Sequence, residues 1–519
     1  MAISWYAESK KFKSPIHVVA AFLFRSRETQ VAINQRLREE TQEHRAQLDW
    51  YADQLKQHQQ KIDELDQRCS EAEKQRDEAM QSVNLPEDRP IGTHGYGARM
   101  VSLAINLARS VGFRGAERVL QIVFKWFGLD QNTPAWTSIR NWTQRLGIAE
   151  LERPLEPTDD MVVLVDHSNQ IGTEKVFVVL GISASKLPPP GEAIKHEDVR
   201  VLKVEPGSEW KKEDVTRALT EVVDEHGPVY AVVSDGATEL QDGAKCLENG
   251  GKAPIVLRDF KHYAANVVKS LIGNDERVKE VEAAIGQTRS AIQQTELAHL
   301  RPPTKKPKSR FMNLAATLRW AMMIVWLLKH PEAKGRQSVT SERMTDKLGW
   351  VASYAEDFAV WQECQEVVSA SLTFINQQGL YRGASGDLRS AIGEPLVHAT
   401  SKEVAARLTA FVAEAEAPLR EGERLPMSTE ILESSFGLFK QLEGQHSKGG
   451  FTSLLASFPA LLKPTTPDAV SEAFARVSHK AVKKWVKENL GSTLTSRRQA
   501  AYAEYKNAIK RATLAPAGT

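Results

Sequence analysis

The chain has 519 residues, which is long enough for several domains. Its 68 Lys and Arg residues nearly balance its 66 Asp and Glu residues, so any nucleic-acid-binding surface must be local rather than global. Cys69, Cys246 and Cys364 match no disulfide or zinc spacing, which indicates a reducing compartment. The apolar runs at 16–24 and 320–328 are far short of the roughly 20 residues that a membrane span needs. We therefore expect a soluble, cytoplasmic protein without a membrane partner.

The N-terminal part is predicted to be helical and to pair two copies of the protein. Residues 1–25 form an N-terminal helical segment, in which 16–24 has the composition of a buried helix. Residues 26–85 contain no Pro. They carry an apolar seam at alternating three- and four-residue steps, which is typical of a coiled coil. The simplest arrangement is a homodimer, and the alternative is a long helix that folds back on its own chain. The seam consists of Leu48, Tyr51, Leu55, His58, Ile62, Leu65, Cys69, Ala72, Arg76, Ala79 and Val83.

After a linker rich in Pro and Gly, residues 92–148 predict three short helices separated by Gly turns. The helices are expected at 97–110, 116–127 and 136–146, and this pattern suits a helix-turn-helix module that binds DNA.

The third of these helices has two chemically different faces. Ile139 and Trp142 lie on the side expected to pack, and the opposite side is rich in Arg, Asn and Gln, which pair with base edges. The alternative is a small helical bundle with a solvated face. The predicted DNA-binding side chains are Arg140, Asn141, Gln144 and Arg145.

Residues 158–274 change to a pattern of buried strands that alternate with helices. Such alternation predicts a mixed sheet with helices packed on its faces. The strands are expected at 161–165, 176–182, 199–204, 229–233 and 254–257, and the helices at 210–225, 237–247 and 259–271.

Two aspartates follow directly after buried strands of this predicted sheet. Asp166 ends the first strand and Asp235 ends the fourth. If these strands are neighbours, the two carboxylates converge, and a divalent cation would relieve their repulsion. Oxygen ligands of this kind favour Mg²⁺ or Mn²⁺. The alternative for each Asp is a turn or helix-capping role.

The remaining chain is predicted to be helical. Residues 275–425 show no strand pattern and have helices at 314–328, 344–375 and 402–416. Residues 426–465 hold two further helical segments, and 466–519 form a basic helical tail. Basic residues in the tail and in one loop of the helical region could hold DNA phosphates, which raises affinity without sequence preference. The loop residues are Lys305, Lys306, Lys308 and Arg310.

The order of strands and helices, with Asp166 on the first strand and Asp235 after the fourth, resembles the RNase H-like core of DDE transposases. This family carries a third acid on a helix after the last core strand, often behind a large insertion. Here the segment STEILESSFGLFK supplies Glu433, and residues 275–425 would be the insertion. The resemblance implies that Asp166, Asp235 and Glu433 are the catalytic residues and bind Mg²⁺ or Mn²⁺.

Other positions of the chain match the family less specifically. Phe436 and Lys440 share a helix face with Glu433 and fit the pattern of an acid followed by Phe and a basic residue. Glu430, one turn earlier on the same face, competes with Glu433 for the role of third acid.

The segment RDFKHYAANVVK contains a further pair, Asp259 and His262, at the start of a helix. An Asp-x-x-His pair after the second acid resembles a feature of some branches of this superfamily, in which the His could contact the scissile phosphate. The alternative is that Asp259 caps the helix and His262 packs locally. His167 should point to the opposite sheet face from Asp166 and have a structural role.

The sequence therefore predicts a multidomain α and α/β protein that binds double-stranded DNA. The resemblance implies a metal-dependent transposase that cuts transposon ends and joins them to target DNA by two-metal phosphoryl transfer. The alternatives are an RNase H-fold nuclease that cuts without joining and a domesticated, non-catalytic DNA-binding regulator. A pure coiled-coil scaffold would leave the alternating core unexplained.

Overall fold

A computed structural model of the chain describes residues 16–82, 88–91, 95–129, 132–156, 158–171, 174–273, 275–304, 314–330, 340–393, 395–446, 452–491 and 493–514. The chain divides into two compact units, Met1–Glu87 and Asp88–Thr519. Cys69, Cys246 and Cys364 are free thiols, as predicted from their spacing. Every helix in these described ranges is too short or too polar to cross a lipid bilayer.

The first unit contains one long helix, α1 (Ile16–Ser82). No Pro or Gly interrupts these 67 residues, so nothing in the backbone breaks the helix. The burial predicted for 16–24 is wrong for the single chain, because Val18 and Leu23 are about half exposed. The described seam residues Leu55, Ile62 and Leu65 are exposed, Leu55 by 69%, and pairing of two copies through the seam stays a prediction.

The second unit begins with two helices, α2 (Ala98–Trp126) and α3 (Trp136–Leu151). Gly112 has φ 72° and ψ 170°, a conformation that side-chain-bearing residues rarely adopt, and it divides α2 into two straight halves. The three predicted helices are therefore present, with Gly112 as the break between the first two.

A five-stranded mixed sheet forms the centre of the second unit, as the alternating pattern predicted. Its order is β3-β2-β1-β4-β5, in which β2 is antiparallel to both β1 and β3, whereas β4 is parallel to both β1 and β5. The strands are β1 (Met161–Ile171), β2 (Glu174–Ser183), β3 (Arg200–Gly207), β4 (Val229–Ser234) and β5 (Ile255–Arg258). The intervening helices are α4 (Lys212–His226), α5 (Thr238–Lys245) and α6 (Phe260–Val268).

Apolar cores lie on both faces of this sheet, which explains why its central strands are continuous hydrophobic runs. Val163 and Val165 of β1 pack in the core formed with α4 and α5. Val162 and Leu164 pack in the larger core on the other face. Because strand side chains alternate, Asp166 lies on the face of the larger core.

In the segment predicted as an all-helical insertion, 275–425, the described residues form helices and one short strand pair. β6 (Leu380–Tyr381) pairs antiparallel with β7 (Arg424–Leu425), so the absence of strands predicted there is wrong. The pair is only two residues long, which leaves no periodic signal in the sequence. The helices are α7 (Glu276–Ile292), α8 (Leu314–Lys329), α9 (Ser341–Leu348), α10 (Ala355–Gln378), α11 (Ala384–Ile392) and α12 (Ala399–Glu416).

The C-terminal part returns to the core and then to the first helices. Helix α13 (Glu430–His446) contacts β1, and a 3-10 helix, Ser453–Leu461, packs along α3. The remaining helices are α14 (Pro467–Arg476), α15 (His479–Leu490) and α16 (Leu494–Leu514), of which α14 packs on both α2 and α3.

Candidate active site

Asp166 and Asp235 lie at matching positions of two neighbouring parallel strands. Val165 of β1 is paired with Ser234 of β4, and Asp166 and Asp235 are the residues that directly follow this pair. The condition on which the two carboxylates were predicted to converge is therefore met.

Asp166 is an acid in an unfavourable environment. Its side chain is only 9% exposed. Burial, together with the negative charges of Asp235 and Glu433, raises the pKa of Asp166 to about 7. A hydrogen bond from the His167 backbone N–H (2.6 Å) and the charge of His262 oppose this rise. Crowded carboxylates that are kept from water are a common feature of catalytic and cation-binding sites.

Asp235 also stabilises a turn, which was the alternative role predicted for it. Its Oδ1 accepts a hydrogen bond from the Ala237 backbone N–H at 2.8 Å. Gly236 follows with φ 90° and packs against Arg258, so the turn requires glycine there. The turn fixes the Asp235 carboxylate beside Asp166, which makes the two roles compatible.

Asp259 is fully buried and joins two distant parts of the chain. Its Oδ1 accepts from the His262 N–H at 2.7 Å and caps α6, as the alternative predicted. Its Oδ2 accepts from the backbone N–H (2.5 Å) and hydroxyl (2.9 Å) of Thr429. Burial alone would raise the pKa of Asp259, but these hydrogen bonds outweigh it and lower the pKa. We call the Asp259–Thr429 contact, together with the hydrogen bond from Phe260 N–H to the Met427 carbonyl (2.9 Å), the Asp259 clamp.

His262 is held at the edge of the acids. Its Nδ1 lies 3.0 Å from Asp259 Oδ1, and its Nε2 lies 3.8 Å from Glu433 Oε1. The hydrogen bond to Asp259 raises the pKa of His262 to about 9 against the effect of burial, and the charges of Glu433 and Asp235 add to this. His262 is therefore a cation at neutral pH.

Glu433 and Glu430 are both held by one amine. Lys261 Nζ lies 2.8 Å from Glu433 Oε2 and 2.9 Å from Glu430 Oε1. Glu430 is also anchored by Asn376, whose Nδ2 donates to Oε2 at 2.6 Å. Helix α13, which carries both glutamates, contacts β1, and the negative charge of Glu433 contributes to the raised pKa of Asp166, which favours Glu433 as the third acid. We call Asp166, Asp235 and Glu433 the acidic site.

The two other residues of the helix motif differ in environment. Phe436 is buried against Phe458, with ring centroids 6.0 Å apart, and thus anchors α13. Lys440 is exposed, with Nζ 6.0 Å from the Phe436 ring centroid.

The acidic site has the oxygen ligands that a divalent cation prefers, but its three carboxylates are not arranged around a common point. Three carboxylates provide hard oxygen ligands, and their repulsion at Asp166 is what a cation would relieve. Among the described residues, however, no three His, Cys, Asp or Glu side chains are placed so as to hold a metal ion. Glu433 instead faces Lys261.

The predicted DNA-facing side of α3 is partly a packing surface. The outward orientation predicted for Gln144 is wrong, because it is 3% exposed and its Nε2 donates to the Ser453 carbonyl at 2.8 Å. Arg145 is half-buried, 4.0 Å over the Phe474 ring, and donates to the carbonyls of Phe474 and Val477. Arg140 and Asn141 are also half-buried, and DNA contact by these two residues stays a prediction.

The other predicted DNA-binding residues belong to the basic loop, and the structure adds exposed basic residues on α2. Lys305, Lys306, Lys308 and Arg310 lie outside the described residues. Arg114, Arg118 and Lys125 on the second half of α2 are exposed. Lys261 was missed from the sequence, although it stands between Asp259 and His262 in the segment singled out there.

Comparisons with known proteins give a distant structural similarity and no sequence match. No family model matches the chain, and no curated protein matches it. One similar solved structure is described as the "Drosophila P element transposase strand transfer complex". It is 12% identical with a TM-score of 0.37, and the match covers 78% of this chain and 98% of that one. Similarity at this level does not assign the chain to a family.

Proposed function

We propose that this chain is a metal-dependent DNA transposase whose acidic site cleaves DNA ends and joins them to target DNA. The observation that carries the proposal is the placement of Asp166 and Asp235 on adjacent parallel strands, with Glu433 near enough to raise the pKa of Asp166. The sheet order β3-β2-β1-β4-β5 supports the RNase H-like core that the sequence resembles.

Each residue of the acidic site and its border has a distinct role in this proposal. Asp166, Asp235 and Glu433 would hold Mg²⁺ or Mn²⁺, which when bound activates the attacking oxygen and stabilises the leaving oxygen. The Asp259 carboxylate, 3.0 Å from His262 Nδ1, holds the imidazole ring at the edge of the site and favours its protonated form, since it raises the pKa of His262. A cation there attracts the phosphate of the DNA backbone.

The test of this proposal is cleavage of supercoiled plasmid DNA by the full chain with Mg²⁺ or Mn²⁺. We expect metal-dependent nicking that Asp235→Asn abolishes while DNA binding is retained. Retained nicking by this variant would contradict the assignment. A strand-transfer assay with labelled ends separates the alternatives, since cutting without joining identifies a nuclease and no cutting favours a regulator.

We propose that the apolar seam of α1 pairs two protomers.

The exposed basic side chains of α2 are proposed to contact the phosphates of double-stranded DNA. Replacing both Arg118 and Lys125 with Ala should weaken binding to duplex DNA by about tenfold at moderate salt, because two phosphate contacts are lost. The slope of log affinity against log salt should fall by roughly 2. Fluorescence anisotropy measures both, and Lys252→Ala with Lys402→Ala is the charge-matched control. Equal losses in the two double variants would contradict a specific role for α2.

A further inference from the structure

Lys261 is placed as a shared counter-ion for two acids of the same helix. Its Nζ lies within 2.9 Å of both Glu430 and Glu433, which are one turn apart in the first turn of α13. The Lys261 side chain is 24% exposed, and the two acids are 41% and 40% exposed. The amine is thus the most enclosed member of the three.

We propose that Lys261 is a resident cation that holds Glu433 in a resting position and competes with the divalent metal for it. This inference rests on the proposed function of the acidic site. It accounts for two observations together. Asp166 and Asp235 lie on adjacent strands, and α13, which carries Glu433, contacts β1. Within the part of the chain that the structure describes, however, no three His, Cys, Asp or Glu side chains are placed to hold a metal ion. Glu433 has both oxygens directed at cations, Oε2 at Lys261 and Oε1 at His262.

Glu430 gives Lys261 a partner when Glu433 leaves. Its second oxygen is fixed by Asn376 at 2.6 Å, so Glu430 stays in place while Glu433 turns toward the two aspartates. Without Glu430, the same movement would leave the partly buried ammonium of Lys261 unpaired, which is costly. Glu430 is therefore a positioning residue that lowers the cost of releasing Glu433, although it is not itself a metal ligand.

The inference predicts opposite effects for the two partners on the affinity for Mn²⁺. Lys261→Met frees Glu433 and should tighten Mn²⁺ binding by about three- to tenfold, the range of one partly exposed ion pair. Glu430→Gln leaves Lys261 with Glu433 alone and should weaken Mn²⁺ binding by a similar factor. In a chain that already carries Lys261→Met, Glu430→Gln should change the affinity at least threefold less than it does in the wild-type chain.

The experiment is electron paramagnetic resonance titration of the full chain with Mn²⁺ alone, on wild type, both single variants and the double variant. Simple charge effects through space would make the two substitutions additive, so additivity overturns the inference. Lys261→Gln replaces Lys261→Met if the latter does not give the wild-type circular dichroism spectrum.

Asp166→Asn in the wild-type and Lys261→Met chains separates this inference from the proposed function. Mn²⁺ binding that depends on Asp166, together with non-additive effects of Lys261 and Glu430, supports both. Binding that depends on Asp166 with additive effects overturns only the role of Lys261. If Asp166→Asn changes Mn²⁺ binding in neither chain, the proposed function and the inference both fail.

Discussion

Asp166→Asn is expected to lower metal-dependent DNA cleavage by at least about a thousandfold while it stabilises the metal-free fold above pH 7. The loss of activity follows from removing one charged ligand of the acidic site. The gain in stability follows from removing a carboxylate that is buried beside Asp235 and Glu433. Asn can still accept the hydrogen bond from the His167 N–H, so the shape of the site is retained.

The pH dependence of this gain has a defined sign. Burial raises the pKa of Asp166 from 3.8 to about 7 in the folded chain, so the folded state keeps a proton that the unfolded state releases between these values. The free energy of unfolding of the wild type therefore falls as the pH rises from about 4 to about 7. Above about pH 7, Asp166 lowers it no further. At about 1.4 kcal/mol per pKa unit, this shift gives the variant an advantage of about 4 kcal/mol at pH 8, which disappears near pH 4.

Chemical denaturation of both proteins at several pH values measures this difference, with Asp160→Asn as a control of opposite sign. Burial alone would raise the pKa of Asp160, but hydrogen bonds from Thr158, Ser183 and Ser185 hold it at about 2. Its carboxylate therefore stabilises the fold above the unfolded pKa, and Asp160→Asn should destabilise the chain at neutral pH. A variant at 166 that is less stable than wild type at pH 8 would show that the acidic site is not strained.

Gly147→Ala should destabilise the second unit by about 3 kcal/mol or more, although alanine favours helices. A Cβ at this position of α3 would overlap the backbone carbonyl oxygen of Ala456 and lie 3.1 Å from its carbonyl carbon. Ala456 belongs to the buried 3-10 helix Ser453–Leu461, which cannot move aside as a flexible side chain would. Thermal unfolding measures the loss.

Gly286→Ala is the matched control for this prediction. Gly286 lies on the exposed side of α7, and nothing lies within 4 Å of a Cβ built there. The substitution should be stabilising by about 0.5–1 kcal/mol, because it reduces the freedom of the unfolded chain. Similar unfolding temperatures for the two variants would mean that α3 and the 3-10 helix are not in close contact.

The core of the acidic site could be predicted because its signals are local. A run of buried, β-branched residues before an Asp predicts a strand that ends there, and this holds for Asp235, which directly follows β4. It is wrong for Asp166, because β1 continues to Ile171 in its pairing with β2, and only the parallel pairing with β4 ends before Asp166. Glu433 could be found only through its spacing to Phe436 and Lys440, since one acid on a helix has no local signal that distinguishes it from Glu430.

The errors come from contacts between distant parts of the chain. Gln144 has the composition of an exposed helix face, and only the segment around Ser453, 309 residues further along, buries it. Helical periodicity identifies the face of a helix that is apolar, but it does not show which polar residues a later segment will cover. Lys261 was missed for a related reason, because its partners Glu430 and Glu433 come from α13.

The Asp259 clamp fixes where the long excursion between α6 and α13 leaves the core and returns to it, and Asn376 of α10, within the excursion, contacts Glu430. The Phe260 backbone N–H donates a hydrogen bond to the Met427 carbonyl. Asp259 accepts one from the Thr429 backbone N–H, 170 residues later and directly before α13. The entry and exit points are thus tied together regardless of how many helices lie between them. The number of helices in the excursion can therefore differ without moving the start of α13, the helix that carries Glu433.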